Sequence, residues 1–151
     1  MGPWNRLKQW LPAILFAILI SMASTDSFSA QHTSTVIIPI LHWLFPAASP
    51  ETLERMHFFI RKSAHFIEYF VFSIILLRTL RGKQPGWHLR WALLALTIAA
   101  GYSALDEFHQ SFVPSRTASP WDSLLDTTGA TTAQAVAMIW SWRDNKGTTP
   151  K

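Results

Sequence analysis

At residues 61–69 the sequence reads RKSAHFIEY, and the strongly apolar run FVFSIILL follows at residues 70–77. Two further polar stretches adjoin apolar runs in the same way, LDEFHQ at residues 105–110 and WDSLLD at residues 121–126. Apolar runs of this kind predict membrane-spanning helices. Because a charge near the bilayer centre costs about 2.5 to 3.5 kcal/mol, these ionisable side chains must face one another or a wet cavity.

The overall composition fits a small membrane domain. The chain has 151 residues, of which 49% are hydrophobic and 15% charged, and it contains no cysteine. That balance is typical of polytopic membrane proteins, and the lack of cysteine excludes disulfides, iron–sulfur ligation and a thiol nucleophile. The basic residues form no stripe with interleaved aromatic residues, so we expect no nucleic-acid partner.

The apolar segments predict an all-α fold, with one domain over residues 1–151 and four transmembrane helices packed as a bundle. These spans are expected at about residues 11–24, 57–81, 90–108 and 120–142. The first span has an alternative interpretation as a cleaved signal peptide, because basic residues precede an apolar core that ends in small residues.

An external connection, residues 25–56, joins the first two spans. Its apolar segment, residues 36–45, is too short to cross a bilayer and is interrupted by Pro39 and Pro46, which predicts an interfacial or re-entrant piece. Ser49, Pro50 and Glu51 then have the pattern of a helix start, with Ser as N-cap, Pro at the first position and an acid in the first turn.

The basic residues predict the orientation of the bundle. One set of flanking segments carries nine of them: Arg6, Lys8, Arg78, Arg81, Lys83, Arg90, Arg143, Lys146 and Lys151. The other set carries four: Arg55, Arg61, Lys62 and Arg116. Because cytoplasmic segments carry the excess of Lys and Arg, both termini are expected in the cytoplasm. The three polar stretches then form a polar cavity that faces the extracytoplasmic side.

Helical spacing indicates which side chains can meet in that cavity. On the second span four residues fall within an arc of about 120° at 100° per residue: Lys62, His65, Glu68 and Tyr69. Asp106 and Gln110 lie one turn apart on the third span. On the fourth, Asp122 and Asp126 are in register with Gly129, Ala133 and Ala137, a stripe of small residues that permits close helix packing.

These residue types suggest acid–base chemistry beside an anion site. His65 would act as general base or acid with Glu68 or Asp106 orienting it, and Glu107 and Asp126 complete the catalytic candidates. The substrate-binding candidates are Lys62, Tyr69, Gln110, Arg116 and Asp122, with Lys62 and Arg116 holding an anionic group such as phosphate.

Each candidate also has a simpler interpretation. Asp122 lies three residues after Ser119, so we favour for it the reciprocating acid of a capping box. The other polar residues could form a structural network that clamps the bundle. A divalent ion on His65, Glu68 and Asp106 is a further alternative. Neighbouring cations offset much of the acidic charge there, so we predict no metal and no cofactor.

The order of these motifs resembles the VanZ-like family of small membrane proteins, named for the teicoplanin-resistance protein. The likeness covers about residues 57–142 and rests on three patterns: Lys62-x-x-His65-x-x-x-Tyr69, Asp106-Glu107-x-x-Gln110-x-Phe112-x-x-x-Arg116, and Asp122-x-x-x-Asp126-x-x-Gly129. The chain departs from the family pattern at Asp126, where Asn is usual, and at Ala133, where a second Gly is common.

The resemblance implies a role in the cell envelope and, in some members, reduced susceptibility to glycopeptides such as teicoplanin. We therefore expect a multi-pass protein of the bacterial inner membrane. Three classes of function compete. The first is binding or modification of an anionic envelope lipid or lipid-linked precursor at the outer leaflet, the second is ion or substrate transport, and the third is structural partnership with another envelope protein.

The predicted topology can be tested with single cysteines at Gln84 and Ser115 in this cysteine-free chain. Because the basic loop around Gln84 is expected in the cytoplasm, an impermeant maleimide added to intact cells should label only the cysteine at position 115. Labelling at position 84 from outside would reverse the orientation of the polar cavity.

Overall fold

The computed structural model describes residues 3–113 and 118–147. Its α-helices are α1 (Pro3–Ala23), α2 (Ala30–Leu44), α3 (Pro50–Arg81), α4 (Leu89–Gln110) and α5 (Pro120–Gly147), with a short 3-10 helix at Asp26–Phe28. Every regular element of the described residues is helical, which confirms the all-α prediction. Ser115 and Arg116 lie outside the described residues.

The start of α3 is confirmed at the predicted residues. The Ser49 side chain accepts a hydrogen bond from the Thr52 backbone N–H at 3.3 Å, and Pro50 occupies the first turn. The expectation that Pro39 interrupts the preceding apolar segment is wrong, because α2 continues through it to Leu44. Leu41, two residues after the proline, is buried, and α2 contacts α3.

The central helix is α3, which contacts α1, α2, α4 and α5. It fills the core with large side chains, including Tyr69, Phe72 and Leu76, while α4 and α5 contribute small ones: Ala92, Ala95, Ala99, Ala130 and Ala133. Small residues let the helix backbones approach closely, as membrane helices commonly do. The two backbones approach closely at Gly129 of α5, where an added Cβ would clash with the Phe66 carbonyl oxygen of α3.

The surface of the bundle is unusually apolar, and several polar side chains are buried inside it. Large apolar side chains such as Leu19, Leu93 and Ile139 are exposed, whereas Asp126 and Gln134 are buried. Such a surface is typical of helices that contact lipid. Among the described helices, α3 has the length and mean hydropathy to cross a membrane, and Leu7–Ala23 of α1 is a shorter apolar helix. The bundle of four spans therefore stays a prediction.

The helices give the bundle two chemically different ends. The polar end is formed where α1 and α4 finish and α5 begins, and it contains Ser24, Asp106, Gln110 and Asp122. The basic end is formed by the start of α1, the end of α3, the start of α4 and the end of α5. Its cations are Lys8, Arg78, Arg81, Lys83, Arg90 and Arg143.

The close packing of α3 against α5 predicts opposite effects for two glycines. Gly129→Ala should lower the thermal unfolding midpoint in detergent, because overpacking of this kind costs about 1 to 3 kcal/mol. Gly101→Ala is the matched control, since its Cβ would enter open space and alanine favours a helix by about 1 kcal/mol. Circular dichroism melts of both variants are the measurement. An unchanged midpoint for Gly129→Ala would contradict the close approach.

Candidate functional site

The polar face of α4 is built by helical spacing. Ser103, Asp106 and Gln110 recur at intervals of three and four residues and are all buried on the side facing the bundle. The Asp106 carboxylate accepts hydrogen bonds from the Ser24 hydroxyl at 2.5 Å and from the Gln110 side-chain amide at 2.8 Å. These bonds join the end of α1 to α4. Asp106 is therefore held as part of the scaffold.

Asp126 of α5 lies at the centre of the site and is only 2% exposed. Its Oδ2 accepts a hydrogen bond from the Ser103 hydroxyl at 2.8 Å, and the same hydroxyl lies 3.1 Å from the Ser123 hydroxyl. Among the described residues, neither its Oδ1 nor the fully buried Tyr69 hydroxyl has a hydrogen-bond partner. The centre of the site thus keeps hydrogen-bonding capacity that the surrounding protein does not use.

His65 lies between two carboxylates. Its Nδ1 is 3.8 Å from Asp126 Oδ1 and 4.0 Å from Glu68 Oε2. The structure thus brings His65, on the predicted polar face of α3, next to Asp126 of α5. An imidazole beside two carboxylates is an arrangement able to accept and return a proton. The carboxylates near His65 are Glu68 and Asp126, whereas Asp106 is engaged with Ser24 and Gln110.

Lys62 of α3 forms an ion pair with Asp122 of α5. The capping-box interpretation of Asp122 is wrong, since the Ser119 backbone N–H donates to Glu107 Oε2 at 2.8 Å instead. Sequence spacing suggested a local partner for Asp122, but the folded bundle supplies a stronger, charged partner 60 residues away. Glu107 itself is buried and links the end of α4 to the start of α5.

The predicted cations contribute unequally to the described site. Arg61 turns towards α2, where its Nη1 donates to the Phe28 carbonyl and to the Thr33 hydroxyl, each at 3.0 Å. Arg116 lies outside the described residues. Lys62 is therefore the cation that the described structure brings to the acids, and it faces Asp122.

Several polar residues of the bundle were not predicted from the sequence. Ser24, Ser103 and Ser123 complete the hydrogen bonds of the site. A second polar pair lies deeper in the bundle, where the Gln134 amide donates to the Ser73 hydroxyl at 2.8 Å. Because Ser103 lies three residues before Asp106, helical spacing could have identified it as part of the polar cluster. Ser24 gave no such signal, since it resembles any small residue at the end of an apolar run.

An apolar groove opens beside the site on the outer face of α3 and α5. Its volume is about 620 Å³, and its lining residues are Phe58, Phe59, Lys62, Ser63, Phe66, Ile67, Trp121, Asp122 and Leu125. The Lys62–Asp122 ion pair forms part of its wall. The groove thus combines a mostly apolar lining with charged groups at one place.

No three His, Asp or Glu side chains within residues 3–113 and 118–147 are placed to hold a metal ion together. The divalent-ion alternative on His65, Glu68 and Asp106 gains no support from this geometry. The described site is instead a network of hydrogen bonds and ion pairs that joins α1, α3, α4 and α5.

The fold and site define a class of small helical proteins with an internal cluster of carboxylates. The family model of VanZ/LLP1 matches residues 6–141, nearly the whole chain, and the chain belongs to that family. This confirms the resemblance that the motifs of α3, α4 and α5 indicated. Comparison with curated proteins and with solved structures gives no match.

The ion pair and the capping box predict different effects of one substitution. If Asp122 served as a cap, Asn would largely replace it; because it pairs with a largely buried Lys62, Asp122→Asn should instead destabilise the bundle. A double-mutant cycle with Lys62→Met should give a coupling energy of about 1.5 to 3 kcal/mol, as for hydrogen bonds between charged groups.

The exposed ion pair of Arg55 and Glu51 is the matched control for this cycle. Because both of its side chains are well exposed, Arg55→Met and Glu51→Gln should show no measurable coupling. The free energy of unfolding in mixed micelles is the quantity to measure. A cycle at Lys62 and Asp122 with as little coupling as the control would refute the role given to the ion pair.

Proposed function

We propose that the chain is a multi-pass protein of the bacterial inner membrane, with α1, α3, α4 and α5 as its spans. The family assignment, the apolar length of α3 and the exposed apolar surface support this topology. The cations of the basic end then lie in the cytoplasm with both termini, as the excess of Lys and Arg requires. The polar end faces the outer leaflet.

The packing of α1 against the other helices supports the proposal that α1 is a membrane span. Ile20 and Ala13 are buried in the bundle, and the Ser24 hydroxyl bonds to Asp106. A cleaved signal peptide would leave Asp106 without that donor and would expose the face of α3 that α1 covers. A retained α1 therefore fits the hydrogen bonds of the site better.

The proposed function is binding or modification of an envelope lipid or lipid-linked precursor at the outer leaflet. The observation that carries it is the groove of about 620 Å³, which opens on the lipid-facing surface beside the site. Its aromatic and aliphatic lining suits a hydrocarbon chain, and Lys62 and Asp122 lie where a polar head group would follow. Reduced susceptibility to glycopeptides such as teicoplanin is the cellular effect proposed.

The charges of the site indicate where an anionic head group would bind. In the described part of the site, acidic side chains outnumber cations, so an anion deep beside Asp126 would lie among acidic groups rather than beside Lys62. At the groove, Lys62 supplies a positive charge, and Arg116 is the proposed second cation. The head group would share the Lys62 ammonium with Asp122. His65 would then lie one helical turn further along α3 from the bound head group.

In the enzymatic form of the proposal, His65 moves a proton at the head group. Asp126 and Glu68 are the carboxyl groups nearest its imidazole, at 3.8 and 4.0 Å from Nδ1. Asp106, Gln110 and Glu107 keep the helices in register. If the site binds the lipid without modifying it, the same arrangement describes a lipid-binding protein.

A structural role for the polar cluster is the second candidate function. It is favoured by Asp106, whose carboxylate accepts from both Ser24 and Gln110 and so clamps α1 to α4. Under this hypothesis the buried carboxylates fix the register of the helices, and the groove receives only bulk lipid.

A photo-crosslinking residue separates these two functions. Benzoylphenylalanine in place of Phe59, which lines the groove, should capture a specific lipid class in cells, and Lys62→Met should reduce that adduct. The same residue in place of Leu93, equally apolar and 53% exposed on α4, reports bulk lipid. Mass spectrometry of the purified adducts identifies the captured lipids.

Enrichment of an anionic or polyprenyl-linked lipid at position 59 over position 93 supports the proposal. Identical lipid profiles at the two positions, unchanged by Lys62→Met, would contradict lipid recognition and favour the structural role.

A further inference from the structure

A second charged cavity lies at the basic end, far along α3 from the polar cluster. It has a volume of about 540 Å³ and is lined by Asn5, Lys8, Gln9, Arg78, Arg81, Gly82 and Lys83. Four of these residues are cations and none is acidic. Among the side chains that the structure describes, which exclude those of residues 144–147, no carboxylate forms an ion pair with any of them. The cavity therefore concentrates positive charge that the described protein does not neutralise.

Hydrogen bonds from side chains to the backbone hold this cavity in shape. The Gln9 side-chain amide donates to the Thr79 carbonyl at 2.5 Å, which fixes the start of α1 against the end of α3. Gly82 ends α3 with a φ of 59°, and a Cβ there would approach Gln9 Nε2 to 3.2 Å. Arg81 is held by a hydrogen bond of 2.9 Å from its Nη1 to the Gly86 carbonyl. These contacts hold the residues around the cations in place.

An apolar groove adjoins the cavity through two shared residues. The groove lies between α3, the loop before α4 and α5, and has a volume of about 700 Å³. Arg78 and Arg81 line both the cavity and the groove. The apolar lining comes from Phe70, Ile74, Leu77, Trp87, Val136 and Trp140. A molecule with an anionic group and a hydrocarbon chain could therefore occupy both spaces at once.

We propose that the basic end binds an anionic phospholipid, with the phosphate group among Lys8, Arg78, Arg81 and Lys83 and an acyl chain in the adjoining groove. Guanidinium and ammonium groups are the usual partners of phosphate in proteins. Basic pockets between helices on the cytoplasmic side are places where membrane proteins bind phosphate head groups. The groove distinguishes this ligand from a free phosphate ion, which would need the cations alone.

The site is separate from the one proposed at the polar end. It shares no residue with the groove that Lys62 and Asp122 line. Failure of one site therefore leaves the other intact. The lipid also has a structural consequence, because a single molecule would touch α1, α3 and α5 and would hold the basic end together.

Native mass spectrometry of the purified full chain tests the proposal. The probes are phosphatidylglycerol, which is anionic, and phosphatidylethanolamine, which is zwitterionic, each added in equal amount to delipidated protein. We expect preferential retention of phosphatidylglycerol by the wild type. Lys8→Gln with Lys83→Gln removes two exposed cations of the cavity and should weaken its binding about 10- to 30-fold.

The control variant is Arg90→Gln with Arg143→Gln, which removes two exposed cations from the same end but outside both cavities. It should retain phosphatidylglycerol as the wild type does. Addition of millimolar inorganic phosphate is a second arm, and the lipid adduct should survive it because the acyl chain holds the ligand in the groove. Equal retention of the two lipids, equal loss in the control, or displacement by phosphate would each overturn the proposal.

Discussion

The burial of carboxylates inside an apolar bundle is the constraint on which the rest of the structure depends. Asp126 and Asp106 need hydrogen-bond donors in such surroundings, since a buried polar group that is left unsatisfied costs about 1 to 3 kcal/mol. Ser103 bonds to Asp126, and Ser24 and Gln110 bond to Asp106. Because these donors come from α1 and α4, the carboxylates of the site also determine how the helices are arranged.

Close packing of α3 against α5 makes this arrangement possible. Gly129 lets the two backbones meet at Phe66, and the contact brings Asp122 to Lys62 and Asp126 to His65. A larger residue at position 129 would separate the helices and with them the Lys62–Asp122 ion pair and the His65–Asp126 contact. The stripe of small residues on α5 therefore serves the site as well as the core. This is one reason why Gly129 and the polar residues belong to a single motif.

The two ends of the bundle carry complementary chemistry. At the polar end, carboxylates exceed cations and are largely buried, which suits proton transfer and hydrogen bonding. At the basic end, four cations line one cavity without described carboxylate partners. Each end also adjoins an apolar groove on α3 and α5. The two ends therefore differ in charge and in the chemical groups that they could recognise.

The sequence alone determined the helical fold, the start of α3 at Ser49 and several of the polar residues that meet in the bundle, among them Lys62, His65 and Asp126. Helical periodicity and capping chemistry are local, so they can be read without a structure. The motif residues also indicated the family, which the match over residues 6–141 confirms.

Only the tertiary structure decided the partners of those residues. Asp122 pairs with Lys62 rather than capping its own helix, Asp106 bonds to Ser24, and α2 continues through Pro39. For Asp122 and Asp106, a partner on a distant segment is added that the local spacing does not reveal. The physical reason is that burial in a packed bundle strengthens a long-range charged or hydrogen-bonded contact, while sequence spacing reports only neighbours within a turn or two of the same helix.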